Sequence, residues 1–153
     1  MIVFRLCKSK YRYDLSGSGA EKAGGRWNSK GIAMLYTSNS RALCTTEIAA
    51  HTPLGILPSD YFLISFEVPD LISIFEVNTS KLPSNWKDFP PSKSTQRIGD
   101  KFIFENNFLL MKVPSVIVQG EYNYLFNPHH KSFKQINILK VEAFEFNKRL
   151  FER

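Results

Sequence analysis

Cysteine, histidine and long apolar runs are all scarce in this chain of 153 residues. The two cysteines, Cys7 and Cys44, lie far apart, and the three histidines add no spacing typical of metal ligands. We therefore expect no metal and a reducing cytoplasmic environment. No stretch approaches the roughly 20 apolar residues of a membrane span, and the N-terminal apolar run is too short for a signal peptide. The sequence predicts a cytoplasmic protein without a membrane partner.

Several familiar functional motifs are missing as well. Gly17 and Gly19 begin a GxGxxG pattern, but Lys22 occupies the position of its third glycine, and no Gly-Lys-Ser/Thr of a P-loop follows Gly24. The GxSxG motif of serine hydrolases is absent. A basic helix, an aromatic RNA-binding motif and a zinc finger are absent too, so a merely basic surface is favoured over direct nucleic-acid binding.

What the chain does contain is apolar surface and positive charge. Apolar residues make up 43% of the sequence and include 13 Phe, which is enough for one hydrophobic core without disulfides or metals. We expect a single domain over residues 1–153. The formal net charge of +6 favours an anionic partner, such as a phosphorylated ligand, nucleic acid or an acidic protein.

The pattern of apolar residues and turn formers predicts a mixed order of elements, with more strands than helices. Strands are predicted at 1–6, 32–38, 61–70, 72–78, 108–118 and within 133–147, helices at 38–51 and 95–107, and irregular segments at 82–95 and 121–130. The βαβ rhythm of a doubly wound sheet is absent. The predicted fold class is α+β.

A glycine-rich segment at 24–31, GGRWNSKG, is the first candidate site. Glycine allows the backbone to approach a ligand closely, and the planar guanidinium of Arg26 suits a phosphate or a carboxylate. The alternative is an ordinary flexible loop with a solvated Arg26 and with Trp27 covering the core. From spacing alone, the ordinary loop is favoured.

Glu47 is the second candidate, because the predicted helix places it at the edge of an apolar surface that includes Leu43 and Cys44. Its carboxylate either extends outward or faces a cleft. Burial of an unpaired carboxylate is costly, so a cleft position requires a partner such as Arg26 or a cationic ligand.

Tyr36 and Ser115 are weaker candidates. Tyr36 lies in a predicted strand just before this helix, and Ser115 lies in the apolar run VPSVIV. A buried serine must find a hydrogen bond, which either the backbone or a ligand could provide.

Taken together, Arg26, Glu47, Ser115 and their surroundings resemble the RES domain family, which is named for its arginine, glutamate and serine. The similarity runs through FR, GSGA, GGRWNSKG, YTS, the Glu47 helix, IGD, VPS, NYLFNPHH and FEFNKRL, and so covers nearly the whole chain. Residues 57–100 match only loosely, and Lys112 stands where many relatives have arginine.

This resemblance implies a fold related to ADP-ribosyltransferase toxins and the toxin role in a bacterial type II toxin–antitoxin pair. The implied partner is an Xre-like antitoxin with a phage-repressor-like helix-turn-helix domain. Toxin and antitoxin would form a hetero-oligomer, and nucleic acid would be contacted only through the antitoxin. Relatives consume NAD+ by hydrolysis or phosphorolysis, and some transfer ADP-ribose to a protein.

The resemblance also implies which residues act. The implied catalytic residues are Arg26, Tyr36, Glu47 and Ser115, and the implied substrate-binding residues are Arg5, Gly25, Arg26, Trp27, Asn28, Tyr36, Ser115 and Asn123. Three functions are left open: an NAD+ glycohydrolase or phosphorylase, a protein mono-ADP-ribosyltransferase, and a non-enzymatic binding module for an anionic ligand. NAD+ is expected to serve as substrate, with no further cofactor.

Overall fold

The computed structural model describes residues 1–152. Its strands and α-helices follow the chain as β1 (Ile2–Lys8), α1 (Ser18–Ala23), β2 (Leu35–Ser38), α2 (Arg41–His51), β3 (Tyr61–Glu67), β4 (Ile74–Glu76), α3 (Lys93–Glu105), β5 (Leu110–Pro114), β6 (Tyr122–Phe126) and β7 (Asn137–Phe144). Short 3-10 turns cover Ser9–Tyr11, Thr79–Lys81, Lys131–Gln135 and Lys148–Leu150. This mixture confirms the predicted α+β class.

Within residues 1–152 the seven strands form one mixed sheet in the order β4-β5-β6-β2-β1-β3-β7. Strands β4 and β5 run parallel, and the other neighbouring strands run antiparallel. Strands β1 and β2, in the middle of the sheet, pair at one register position, where Phe4 lies opposite Ser38. In contrast, β1 pairs with β3 along its whole length. The sheet therefore divides into two halves that diverge between β1 and β2.

Both faces of the sheet are covered by apolar side chains. One core cluster includes Val3, Ile64, Phe66, Leu110 and Phe126, and the second includes Trp27, Met34, Phe102, Met111 and Leu125. Neighbours in a strand point to opposite faces, so Leu110 and Met111 serve different clusters. Helix α3 and the loop that carries Trp27 cover the second face.

Several predicted element boundaries are corrected by the structure. The strand predicted at 32–38 begins only at Leu35, because the Asn28 side chain binds the Ile32 carbonyl in the preceding loop. The strand predicted at 108–118 ends at Pro114, because the Ser115 hydroxyl accepts the N–H groups of Ile117 and Val118 and so bends the chain.

The prediction of an irregular segment at 121–130 is wrong for its first half, which forms β6 between β5 and β2. Helix α1 is an element that the sequence pattern did not predict, and α3 begins at Lys93, inside the segment expected to be irregular. Within residues 1–152, no helix is both long enough and apolar enough to cross a membrane.

Candidate functional site

A pocket lies where β1 and β2 diverge, and α1 and α2 close its sides. Its volume of ≈ 460 Å³ is within the range of small-molecule sites. Its polar and charged lining residues are Arg5, Tyr11, Asp14, Ser18, Lys22, Tyr36, Thr37, Ser38, Glu47, His51 and Asn123. The pocket therefore combines two carboxylates with two cations on rigid walls.

Glu47 reaches this pocket from α2, whose N-terminus is capped by the Ser40 hydroxyl. Its Oε1 accepts hydrogen bonds from Ser115 Oγ and from Asn123 Nδ2, each at 2.9 Å. Neither bond engages Oε2. The carboxylate is thus held through one oxygen, and the other oxygen is available to a ligand in the pocket.

Ser115 is buried, with 4% of its surface exposed. Its hydroxyl donates to Glu47 and accepts the N–H groups of Ile117 and Val118, both at 3.1 Å. The hydrogen-bonding capacity of this hydroxyl is therefore used inside the protein, and Ser115 acts by holding Glu47.

Asn123 holds Glu47 from the other side. It lies in β6 directly opposite Ser38 of β2, and its Oδ1 accepts a hydrogen bond of 2.8 Å from Ser38 Oγ. The side chain lines the pocket as well. Ser38 was not among the residues predicted to act, although the YTS motif that contains it contributed to the family resemblance.

Arg26 lies in the loop between α1 and β2 and is half-buried. Its Nη1 donates to the backbone carbonyls of Trp86 and Asp88, at 2.7 and 2.8 Å. Burial lowers the pKa of Arg26 below its ordinary value, and the carboxylate of Glu47 opposes this shift. The hydrogen bonds of Arg26 fasten the irregular segment 82–91.

Tyr36 supports the same loop through its hydroxyl. The Tyr36 Oη donates to Asn28 Oδ1 at 2.6 Å and accepts the Trp27 N–H at 3.1 Å. Burial raises the pKa of Tyr36 far above its ordinary value, and the hydrogen bond from the Trp27 N–H opposes this shift, so the phenol is neutral at physiological pH. The same residue also lines the pocket.

Gly25, Trp27 and Asn28 form the interior of this loop. Asn28 is fully buried and donates to the carbonyls of Ala20 and Ile32, and Trp27 packs in the core with 3% exposure. A side chain at Gly25 would place its Cβ 2.7 Å from the Tyr36 Oη, so the close approach requires glycine. The loop supports Arg26 and Tyr36, and Trp27 covers the core as the ordinary-loop interpretation expected, but Arg26 is half-buried and hydrogen-bonded instead of fully solvated.

Helix α3 fixes the outside of the loop through residues that were not predicted to act. Gln96 donates to the Gly25 carbonyl, and Asp100 accepts bonds from the N–H and hydroxyl of Ser29. A Cβ at Gly99 would collide with the Trp27 carbonyl. The IGD motif at 98–100 was the sequence signal for this contact.

Arg5 occupies another part of the pocket wall. Its Nη1 donates to the carbonyls of Tyr11 and Asp14. Hydrogen bonds from the side chain and backbone N–H of Ser16 hold the pKa of Asp14 below its ordinary value, so that the Asp14 carboxylate is charged. Asp14, Lys22 and His51 line the pocket, although sequence reasoning assigned them no role.

Cys44 also lines the pocket, but burial raises the pKa of its thiol to about 11. A thiol with this pKa is protonated at neutral pH and is a poor nucleophile. Among residues 1–152 no cluster of three His, Cys, Asp or Glu side chains is arranged to hold a metal ion. Glu47 is the lining carboxylate that the hydrogen bonds from Ser115 and Asn123 anchor.

The split sheet and its charged pocket define an α+β protein with a polar pocket between the two halves of its sheet. Residues 2–147 match the RES domain, and the chain belongs to the RES domain family. The resemblance inferred from the sequence motifs is therefore confirmed, and the chain groups with the toxins of this family.

Among curated proteins, the chain is 38% identical to the Prs ADP-ribosylating toxin of Sphingobium sp. (strain YBL2) over 92% of this chain and 88% of the relative. It is 37% identical to Toxin Res of Photorhabdus laumondii, over 98% of this chain and 97% of the relative. The M. tuberculosis MbcT–MbcA toxin–antitoxin complex contains a chain of similar fold, with a TM-score of 0.74 and 20% identity over 98% of this chain and 86% of that chain.

Proposed function

We propose that this chain is the toxin of a toxin–antitoxin pair and consumes NAD+ by cleaving the bond between nicotinamide and ribose. The observation that carries the proposal is the anchoring of Glu47, whose Oε1 is bonded to Ser115 and Asn123 while the residue lines the pocket. The name of the Sphingobium relative, an ADP-ribosylating toxin, supports NAD+ as the substrate.

The chemistry of this cleavage suits a single carboxylate. When the ribose C1–nitrogen bond breaks, its electron pair moves to the nitrogen, and nicotinamide leaves as a neutral base. The ribose becomes an oxocarbenium-like cation, which a nearby carboxylate stabilises electrostatically. No acid is needed for the leaving group, so Glu47 with its free oxygen supplies the main catalytic function.

The acceptor that attacks C1 determines the product. Water would give ADP-ribose, with its proton passing to Glu47 or to solvent, and inorganic phosphate would give ADP-ribose 1-phosphate. We propose these two outcomes, glycohydrolase or phosphorylase activity, as the primary function. Transfer to a protein side chain is the second candidate, favoured by the name of the Sphingobium relative.

Charged groups around the pocket suit the rest of the substrate. Lys22 and Arg5 line the pocket. Arg26 is not a lining residue, but within residues 1–152 its hydrogen bonds to Trp86 and Asp88 use Nη1 and leave Nε and Nη2 to a ligand. In the proposal, Arg26 binds the pyrophosphate or ribose hydroxyls, because a guanidinium suits anionic oxygens. Tyr36 lies against the nicotinamide half with its ring, since its hydroxyl is engaged by Asn28 and Trp27.

A binding module without catalysis is the third possibility raised by the sequence. Such a module needs positive charge around an anion but gains nothing from a carboxylate in its pocket. Two hydrogen-bond donors are directed at Glu47, which favours an enzyme in which this carboxylate faces a cationic transition state.

The proposed partner is an antitoxin, and the solved complex of a chain with similar fold is named as a toxin–antitoxin pair. We propose an Xre-like helix-turn-helix antitoxin that forms a hetero-oligomer with this chain in the cytoplasm and alone contacts DNA. Co-expression of the neighbouring reading frame, followed by co-purification, tests this partner. Growth inhibition that persists with every candidate antitoxin would contradict it.

The activity is tested with protein made by cell-free synthesis and incubated with NAD+. Separate reactions contain no phosphate, inorganic phosphate, or a protein lysate, and mass spectrometry identifies the products. Release of nicotinamide with ADP-ribose or its 1-phosphate supports the primary function, and ADP-ribosylated protein supports the second. Unconsumed NAD+ in all three reactions would overturn the proposal.

A further inference from the structure

We infer that Ser38 is a positioning residue, which orients the Glu47 carboxylate through the side chain of Asn123. The geometric part of this inference stands on the hydrogen bonds of the site, and its kinetic part rests on the proposed NAD+ cleavage. Neither the family resemblance nor the comparisons assign a role to Ser38.

The hydrogen bonds from Ser38 to Glu47 run in one direction. The Ser38 hydroxyl donates to Asn123 Oδ1 at 2.8 Å, and Asn123 Nδ2 donates to Glu47 Oε1 at 2.9 Å. An ionised carboxylate only accepts, so the amide must present its NH2 group to Glu47. The amide oxygen then faces Ser38, which must donate.

The fold supports this orientation because Ser38 and Asn123 are direct partners in the ladder between β2 and β6. Ser38 is also the position at which β2 meets Phe4 of β1, beside the opening of the pocket. Ser38 as a whole residue is 5% exposed, and it also lines the pocket. Both ends of the Asn123 amide are therefore held: the Ser38 hydroxyl binds its oxygen, and the Glu47 carboxylate binds its nitrogen.

Loss of the Ser38 hydroxyl would leave the Asn123 oxygen without this donor. The amide would then be fixed at one end only and would sample other rotamers. Glu47 would keep the bond from Ser115 but lose a stable second donor, so its free oxygen would be less well aligned with the ribose. Small misplacements of a catalytic group lower the rate more than they lower substrate affinity.

The chain contains a matched control for this change. Ser65, in β3, is also 5% exposed, and its buried hydroxyl has no hydrogen-bond partner within residues 1–152. Ser65→Ala thus removes the same atom from the same sheet at the same burial without removing a hydrogen bond. The comparison of Ser38→Ala with Ser65→Ala separates the interactions of the Ser38 hydroxyl, with Asn123 and with the thiol of Cys44, from the general effect of losing a hydroxyl.

The first readout is kinetic. We expect Ser38→Ala to lower kcat for NAD+ consumption about tenfold with KM changed less than about twofold. We expect Ser65→Ala to keep both constants. Ser38→Cys places a weakly donating thiol at the same position and should also lower kcat. This variant replaces Ser38→Ala in the test if the alanine variant fails to fold. Wild-type kcat in a folded Ser38 variant would overturn the inference.

The second readout does not depend on activity. The side-chain amide resonances of Asn123, observed by 15N NMR, should shift and exchange faster in Ser38→Ala and remain in place in Ser65→Ala. Unchanged Asn123 resonances in Ser38→Ala would overturn the inference. If wild-type protein consumes no NAD+ but these resonances respond only to the Ser38 change, the positioning inference stands and the proposed function fails.

Discussion

The two charged groups proposed to act on the substrate are held in different ways. Glu47 lies on a capped helix of 11 residues, and side chains near two strands of the sheet bind one of its oxygens. Arg26 lies in a loop, and its hydrogen bonds go to backbone carbonyls of another irregular segment. The carboxylate therefore depends on the sheet, whereas the guanidinium depends on loops that α3 holds in place.

In the proposed function, this difference separates the catalytic carboxylate from the substrate-binding guanidinium. A carboxylate that stabilises a transition state needs a fixed position, which regular elements provide. In the proposed function, Arg26 binds the pyrophosphate or ribose hydroxyls, and its position affects the reacting C1 atom less directly than that of Glu47. The four changes below test whether the two regions are as different as their contacts indicate, in order of decreasing effect.

Glu47→Gln tests the sheet-anchored region and should have the largest effect. Glutamine can still accept bonds from Ser115 and Asn123 through its oxygen, so the fold should persist while the charge is lost. We expect NAD+ consumption to fall roughly 10²–10³-fold. Glu67→Gln, at an exposed position of β3, is the control, and its rate should equal that of wild type. Equal rates of NAD+ consumption for Glu47→Gln and Glu67→Gln would show that the charge of Glu47 has no part in the reaction.

Gly99→Ala tests the support of the loop region. The added methyl group would collide with the carbonyl of Trp27, so the loop and α3 must move apart. We expect the free energy of unfolding to fall by about 3 kcal/mol, at the upper end for overpacking. Chemical denaturation measures it, and Gly19→Ala is the control, since no atom lies within 4 Å of its added Cβ. Equal stability of both variants would show that the contact is absent.

Tyr36→Phe tests the hydroxyl that joins the pocket wall to the loop. Its loss would leave the Asn28 oxygen and the Trp27 N–H without this partner in a buried site. We expect a loss of about 1–2 kcal/mol in the free energy of unfolding. Thermal and chemical denaturation check this value. A variant as stable as wild type that lost activity would assign the hydroxyl to the substrate instead of the loop.

Arg26→Lys tests the guanidinium with the charge retained and should have the smallest effect of the four. Lysine lacks the planar fork that can bind two carbonyls and an anion together. We expect kcat/KM for NAD+ to fall about tenfold, which corresponds to about 1.4 kcal/mol. Proteolysis within 82–91 should also become faster. Arg97→Lys, at an exposed position of α3, is the control and should change neither kcat/KM nor the rate of proteolysis. Identical results for the two variants would show that Arg26 contributes only its positive charge.

Sequence reasoning predicted the fold class, the helix that carries Glu47 and the close backbone approach that glycine allows in the loop, although it favoured an ordinary flexible loop there. These features are local, because apolar periodicity, a serine cap and adjacent glycines act within a few residues. It also predicted that Glu47 in a cleft would require a partner. The particular partners were not predicted, since Ser115 and Asn123 lie 68 and 76 positions away along the chain.

The tertiary structure decided where β6 lies, and with it the geometry of the site. NYLFNPHH contains turn formers, so its local pattern favoured an irregular segment. Pairing with β5 on one side and β2 on the other makes Tyr122–Phe126 an interior strand. Only that pairing places Asn123 between Ser38 and Glu47, because strand order is set by packing of the whole sheet and local propensity carries no information about it.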